Sequence, residues 1–430
     1  MPVTLQEEPS HDSFQIPVWA HNSGMLPTPA RFVNVEPARA RFGDRVDRLA
    51  PYLSRLDPLA DAVVEMIESS PAQGWRMFSQ AAAVGIAHVK DAPASLRELF
   101  GPVEDPPLWV DWAVLDRGGD VLLRAGPIGG LVLAVRSLVL GYASPAGNKP
   151  LILSGRLQDN AVRRLNETAR FVQATCRQGG LRRFADGYQI TLKVRLIHAQ
   201  VRRMIVKSGR WREDLWGAPI NQHDLVGTSL LFSAVLLDGL RKLGVRVSAE
   251  DGEAYMQLWR YSAHLIGVDP ALVPCSELEA KRLAELIAAT QAPPDEDSRK
   301  LTHALLSAGT TIAKTRAEKR NAERHRMFGA ALCRELLGGE LADQLGVEKT
   351  TWRLMLPFMR RFVSGMEFLR ASVPLADVPA LWAGSRYWDR VVEIGLSGAT
   401  AEFGLPERLA AARVLSGGDA TPPGSKRARL

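Results

Sequence analysis

The chain has 430 residues, 46% of them hydrophobic, enough to bury one large core or two. Its three cysteines, Cys176, Cys275 and Cys333, are odd in number and far apart, which excludes a disulfide framework and any cysteine-based metal site. The net charge of +7 is spread over every predicted helix, beside acids and without an aromatic-interleaved basic groove, so no nucleic-acid partner is expected.

The same excess of cations would suit an anionic cofactor held inside. Residues 1–45 are proline-rich and lack periodicity, which predicts an extended N-terminal arm. The first residues, MPVTLQEEPSHDSFQIP, carry acids and prolines where a secretory signal needs basic and then apolar residues, so a cytoplasmic location is expected. Helical periodicity then runs through 46–415, and alternating runs are scarce: the expectation is an all-α protein.

In chain order, Asp57–Glu68 begins with Asp57 as a cap and Pro58 in its first turn. Helices follow at Gln73–Val89 and Leu96–Phe100. Trp109–Gly118 and Asp120–Arg124 lead into a glycine-rich apolar segment at 126–143. That segment is short for a membrane span and carries Gly129, Gly130 and Arg136, while Leu225–Leu240 holds Asp238. Both read as buried helices, and no integral membrane segment is expected. Ser144–Pro150 is a turn.

Asn160–Cys176 is the next helix, with Arg164, Thr168, Phe171 and Thr175 on one face. Arg164 suits a propionate and Thr168 a hydrogen bond to iron-bound oxygen. The plainer reading pairs Arg164 with Glu167 or Asp159 and leaves Thr168 at the surface. Gln189–Lys207 places Val194, Ile197, His198, Val201 and Ile205 on one apolar stripe, with Arg195 and Arg202 on neighbouring positions. An imidazole on such a face suits an axial ligand to haem iron, or a hydrogen-bonded core histidine.

A helix capped by Asn221 is expected to run to Leu243, with His223 exposed in its first turn and Gly244 ending it. Glu250–Ile266, Ser276–Gln291, Arg299–Ala313, Glu318–Leu337 and Lys349–Ala371 complete the series, and 416–430 reads as a disordered tail. His88 suits a helix end, and His264 and His303 suit core or surface. No two-histidine metal pair, phosphate-binding loop or nucleophile elbow is present.

Several motifs then fall in order: Gly155–Leu157 (GRL), Arg164–Thr168 (RxxET), Val194–Arg202 (VRLIHAxVR) and Trp216–Asp224 (WGxPINQxD). They continue through Phe232–Ser233, Leu240–Gly244 and Glu253–Tyr261 (EAYxxLWRY). Together they resemble the rubber oxygenase catalytic domain, the family of bacterial latex-clearing proteins and the membrane-bound oxygenase of mycophenolic acid biosynthesis, over roughly residues 110–290. The resemblance implies a globin-like helical core with added N- and C-terminal helices, one haem b, and oxygenation or oxidative cleavage of a small lipophilic, alkene-containing substrate by O2.

It also implies His198 as proximal iron ligand. Arg164 and Thr168, with Glu167, would lie in the distal pocket, and Arg202 and Arg195 would neutralise the haem. Latex-clearing proteins carry a lysine before the threonine and an acid upstream. Here Glu167 and, roughly, Asn148 or Lys149 stand there, and no export signal is seen. These differences point away from polyisoprene as substrate. A haem-binding sensor or carrier without turnover, and a helical scaffold with a merely buried His198, are the competing functions.

Overall fold

The computed structural model describes residues 28–153 and 156–395, with side chains for all of these except 156–164 and 395. Most of the expected arm, residues 1–27, and the expected tail lie outside the described residues. The order is α1 (Val35–Phe42), α2 (Arg45–Leu49), α3 (Pro58–Ser69), α4 (Pro71–Val84), α5 (Ala94–Glu104), α6 (Trp112–Val132) and α7 (Leu138–Tyr142). Then come α8 (Lys149–Leu153), α9 (Arg156–Cys176), α10 (Asp186–Lys207), α11 (Glu213–Trp216), α12 (Gln222–Phe232), α13 (Ala234–Lys242) and α14 (Ala249–Leu265). The chain continues with α15 (Glu277–Ala289), α16 (Glu296–Leu306), α17 (Ala308–Ile312), α18 (Arg316–Leu337), α19 (Gly339–Gln344), α20 (Leu356–Ser372) and α21 (Asp377–Gly395). Among the described residues the sole strand-like feature is a bridge between Phe32 and Gln291. The protein is all-α, as its periodicity requires.

The main core gathers around α6, α9, α10 and α14, with Phe78, Phe100, Leu122, Leu196, Tyr255 and Trp259 fully or almost fully buried. A second, smaller core joins the N-terminal residues to α12 and the end of α14 through Val46, Leu53, Val226 and Val268. Within the stretch read as an arm, residues 35–42 form α1, and α2 begins at Arg45. Val35, Ala38 and Phe42 recur at helical spacing there. Arg39 ties α1 to Asp47 of α2 at 2.7 Å.

The segment from 112 to 142 is longer than its glycines suggested. α6 bends at Gly126, whose φ of 47° and ψ of −121° suit a residue without a Cβ. Pro127 then restarts the helix, and a π-helical turn at Leu133–Ser137 hands over to α7. Arg136 is buried in that turn, donating to the Val235 carbonyl at 3.2 Å and pairing with Asp238. Trp112–Tyr142 and Gln222–Lys242 are long and apolar enough to cross a membrane, but half of each is buried inside this helical body (50% and 56%), as in core helices. The second is also interrupted: at Ser233, φ −104° and ψ −100° separate α12 from α13.

α21 lies within the expected helical span but was not among the helices predicted one by one. Its prolines, Pro374 just before it and Pro379 in its first turn, give the sequence a loop-like look. Yet Trp388 is 1% exposed, its indole N–H donating to the Leu122 carbonyl at 3.4 Å. Asp389 accepts from Gln173 of α9 at 2.6 Å. The helix thereby closes the outer side of α6 and α9.

Candidate active site around His198

α9 and α10 are antiparallel neighbours joined by residues 177–185. Beside that connection the backbones nearly touch, and a Cβ on Gly187 would stand 2.5 Å from the Ala174 carbonyl oxygen. At the other end Leu153, just ahead of α9, packs on Val201 and Ile205 of α10. With a rise of about 1.5 Å per residue, His198 lies about 16 Å along α10 from Gly187, and Thr168 about 9 Å along α9 from Ala174. Arg164 is therefore nearly level with His198, and Thr168 roughly one to two turns nearer the connection.

Around α10, at about 3.6 residues per turn, Val194, Ile197 and Val201 fall to one side of His198, and Arg195 and Arg202 to the other. Val201 and Ile205 are buried, as the stripe predicts, while Val194, Ile197 and His198 are only partly buried. The His198 Nδ1 atom is itself buried. The apolar flank of α10 is thus only half buried around His198.

The basic flank is fully occupied. Arg195 is 5% exposed and grips Asp57 with two bonds, Nε to Oδ2 at 2.6 Å and Nη2 to Oδ1 at 2.9 Å. Arg202, 2% exposed, donates from Nε to Asp61 Oδ1 at 2.9 Å and from Nη1 to the Ile220 carbonyl at 3.0 Å. Burial raises the Asp61 carboxyl above its usual range against the pull of Arg202. Arg203 and Lys207 both reach Glu68, at 2.8 and 2.7 Å.

The acids at 57, 61 and 68 thus form a ladder on α3 that fixes α10 along its length. Sequence reading placed Arg195 and Arg202 against haem propionates. In the structure Arg195 is sealed by Asp57, which does not fit that role, and Arg202 anchors the His198 helix. Asp57 was recognised only as a cap, which it also is, accepting from Ala60 N at 3.3 Å. The signal that was available is the matched periodicity of acids on α3 and cations on α10.

The WGxPINQxD motif serves the same end. Ala218 N donates to the Leu53 carbonyl at 2.8 Å and Gln222 N to the Arg55 carbonyl at 2.9 Å, which pins the segment carrying Asp57. Gln222 also donates to the Leu56 and Gly267 carbonyls, both at 3.0 Å, and accepts from Asp269 N at 2.7 Å. Ile220, whose carbonyl receives Arg202, has φ 53°, a rare left-handed conformation for a β-branched residue. Asn221 caps α12 as expected, accepting from Asp224 N at 2.9 Å.

His223, expected at the surface, is 5% exposed. It stands 3.6 Å from Asp224, which Arg31 clamps at 2.7 and 2.9 Å. Burial pushes the His223 imidazole below its usual range, and Arg31 holds the Asp224 carboxyl well below its own.

The EAYxxLWRY motif lies on α14 and builds an aromatic floor under α9. Trp259 stacks on Phe232 with centroids 5.2 Å apart and meets Phe171 edge-on at 5.9 Å. Tyr255 donates to the Phe232 carbonyl at 2.8 Å. Above this floor Thr168 and Glu167 are partly buried on α9; the Arg164 side chain lies outside the described residues. Asn148 is buried and donates to the Tyr142 carbonyl at 3.0 Å and Ser298 Oγ at 3.1 Å. Lys149 reaches Asp295 at 2.7 Å, and its two aspartates outweigh burial to raise its pKa. Neither position supplies an acid.

Among the described residues no three His, Cys, Asp or Glu side chains cluster as a metal site. An imidazole at the edge of an apolar flank suits instead a metal that arrives with its own donor set, as in haem. The residues present fit that group through His198 rather than through the flanking arginines.

Residues 112–371 match the family described as ER-bound oxygenase mpaB/B'/Rubber oxygenase, catalytic domain. A rubber oxygenase of Streptomyces sp. (strain K30) is 26% identical over 338 residues, covering 76% of this chain and 78% of that protein. In three dimensions the chain is similar to latex clearing protein in its closed state, with a TM-score of 0.55 and 24% identity over 78% of this chain and 88% of that one. The shared course is that of the helical fold.

Proposed function

The chain belongs to the ER-bound oxygenase mpaB/B'/rubber oxygenase catalytic-domain family, and we propose that it is a haem-b oxygenase acting with O2 on a lipophilic, alkene-containing substrate. Family membership makes it an oxygenase. The haem and the substrate class are the further step. One observation carries that step: His198 stands at the edge of a half-covered apolar flank, on a helix whose other flank is bolted to α3.

His198 would hold the iron, and haem b, when bound, supplies the activation of dioxygen. The chain's own residues do the rest. Val194, Ile197 and Val201 give this side of α10 a hydrocarbon surface, which favours a lipophilic substrate over a polar one. The Asp57–Arg195 and Asp61–Arg202 pairs hold the helix that carries the imidazole against α3 and so fix its position. Thr168 offers a hydroxyl donor on the facing helix, and Glu167 beside it can accept or release a proton. Glu167 stands where latex-clearing proteins carry a lysine, a difference that weighs against polyisoprene as the substrate.

Oxygen uptake by the haem-supplemented protein, measured with a short isoprenoid alkene and with polyisoprene latex, tests this reading. The expected result is O2 consumption and carbonyl or oxygenated product with the short alkene. No uptake with any lipophilic alkene, from a protein that does bind haem, would leave the sensor or carrier function in its place.

A further inference from the structure

α20 presents an apolar face that no described residue covers. Phe358, Phe362, Met366, Leu369 and Val373 follow one another at helical spacing along its outer side, with Phe358 and Phe362 68% and 69% exposed. Its inner side is narrow, with only Leu356 and Val363 buried. Past the helix Leu375 is 82% exposed, and Trp382 on the following helix, α21, is 67% exposed. Monomeric soluble proteins rarely expose apolar patches of this extent without a purpose.

We propose that this α20–α21 face docks the protein peripherally on an anionic lipid surface. At about 100° per residue Phe358, Leu369, Phe362, Val373 and Met366 span an arc of roughly 80°, and Phe368 lies apart from them beyond Arg361 and Ser372. One feature of its shape favours lipid over a second helix. Apolar exposure recurs in the irregular segment at Leu375, where a partner helix finds no groove but a bilayer interface accepts any shape.

The charge around it is complementary. Lys349–Gly395 contains seven Lys and Arg (349, 353, 360, 361, 370, 386, 390) against four Asp and Glu (367, 377, 389, 393). Within the fold Arg370 meets Glu367 and Asp377, Arg177 meets Asp389, and Lys349 and Arg360 lie against Asp343 and Glu335, which leaves Arg353, Arg361, Arg386 and Arg390 against Glu393. Arg386 lies over the Trp382 ring at 5.8 Å, so an aromatic side chain and a cation meet solvent together. An amphipathic surface of aromatic and aliphatic residues bordered by arginines is the composition that rests in a headgroup layer. The docking surface does not depend on the chemistry proposed at His198.

Flotation of the purified full chain with phosphatidylcholine vesicles, with and without phosphatidylserine, tests the proposal. The chain is expected to float with the phosphatidylserine vesicles, less with pure phosphatidylcholine, and less as salt is raised. The double variant F358S/F362S should lose on the order of tenfold or more in bound fraction. Its melting temperature should stay close to that of the parent, since both side chains are exposed.

Three results would overturn the proposal. One is a parent chain that never floats, or a double variant that floats as well as its parent. Another is a dimer in solution abolished by F358S/F362S without flotation, which would give the face to a second copy. The third is flotation only after residues 396–430 are removed, which would give it to the chain's own end.

Discussion

At the residue scale His198 and Arg195 make separable predictions, although they lie three positions apart. His198→Ala should leave the fold intact and abolish haem retention, read as loss of the Soret absorbance after haem supplementation. Arg195→Ala removes the partner of a buried carboxylate, Asp57, which costs about 3–5 kcal/mol when such a pair is broken. Denaturant unfolding should show that loss, with the Soret maximum unmoved in whatever folded protein remains. A shifted maximum without lost stability would return Arg195 to the cofactor. Thr168→Ala should keep the haem and slow turnover on the order of a hundredfold, as loss of a donor to developing charge does. Unchanged turnover removes Thr168 from the chemistry.

His198 and the stripe around it were legible in the sequence because helical periodicity places Val194, Ile197 and Val201 beside it. The partners of Arg195 and Arg202 were not. They sit more than a hundred residues upstream on α3, where the matched spacing of acids offers a partner but does not choose between propionate and aspartate.

At the scale of elements, the α9–α10 hairpin depends on close backbone approach at Gly187. Gly187→Ala would push a methyl into the Ala174 and Gly180 carbonyl oxygens, at 2.5 and 2.6 Å. Overpacking of this kind costs about 1–3 kcal/mol. Because the strain spreads the two helices, haem affinity measured by titration should fall with stability, and an unchanged affinity would show that the hairpin does not set the site.

The clamp of Arg31 on Asp224 beside His223 gives a pH dependence. The folded pKa of His223 is depressed by burial, so the unfolded chain binds its proton first as pH falls through about 6.5. Stability from this group is present above that pH. It is lost below, at up to about 1.4 kcal/mol per pH unit until the folded ring also titrates. Asp224 titrates far lower and does not contribute in that window. Melting temperatures between about pH 7 and pH 5 should fall for the parent, and less steeply for His223→Gln. Equal slopes would show that His223 is not the group responsible. Its exposure was misjudged from sequence because a first-turn position usually faces water, whereas here residues around Arg31 fold over it.

At the scale of the whole molecule the helical class was legible throughout. Its joints were not: Gly126 bends a helix where a break was expected, and Ser233 breaks one expected to be continuous. Both depend on backbone angles set by packing. α21 was not singled out because its prolines look like a loop, yet it closes α6 and α9 on one side and, with α20, presents the apolar face on the other. One body thus joins a braced imidazole, an aromatic floor and an exposed lipophilic surface.

The absorption spectrum of the purified protein after haem supplementation, beside that of His198→Ala, probes the centre of this account. A Soret band in the parent that is absent from the folded variant is the result expected. A parent without the band, or a variant that keeps it unchanged, would contradict the assignment of His198 as the residue that holds the iron.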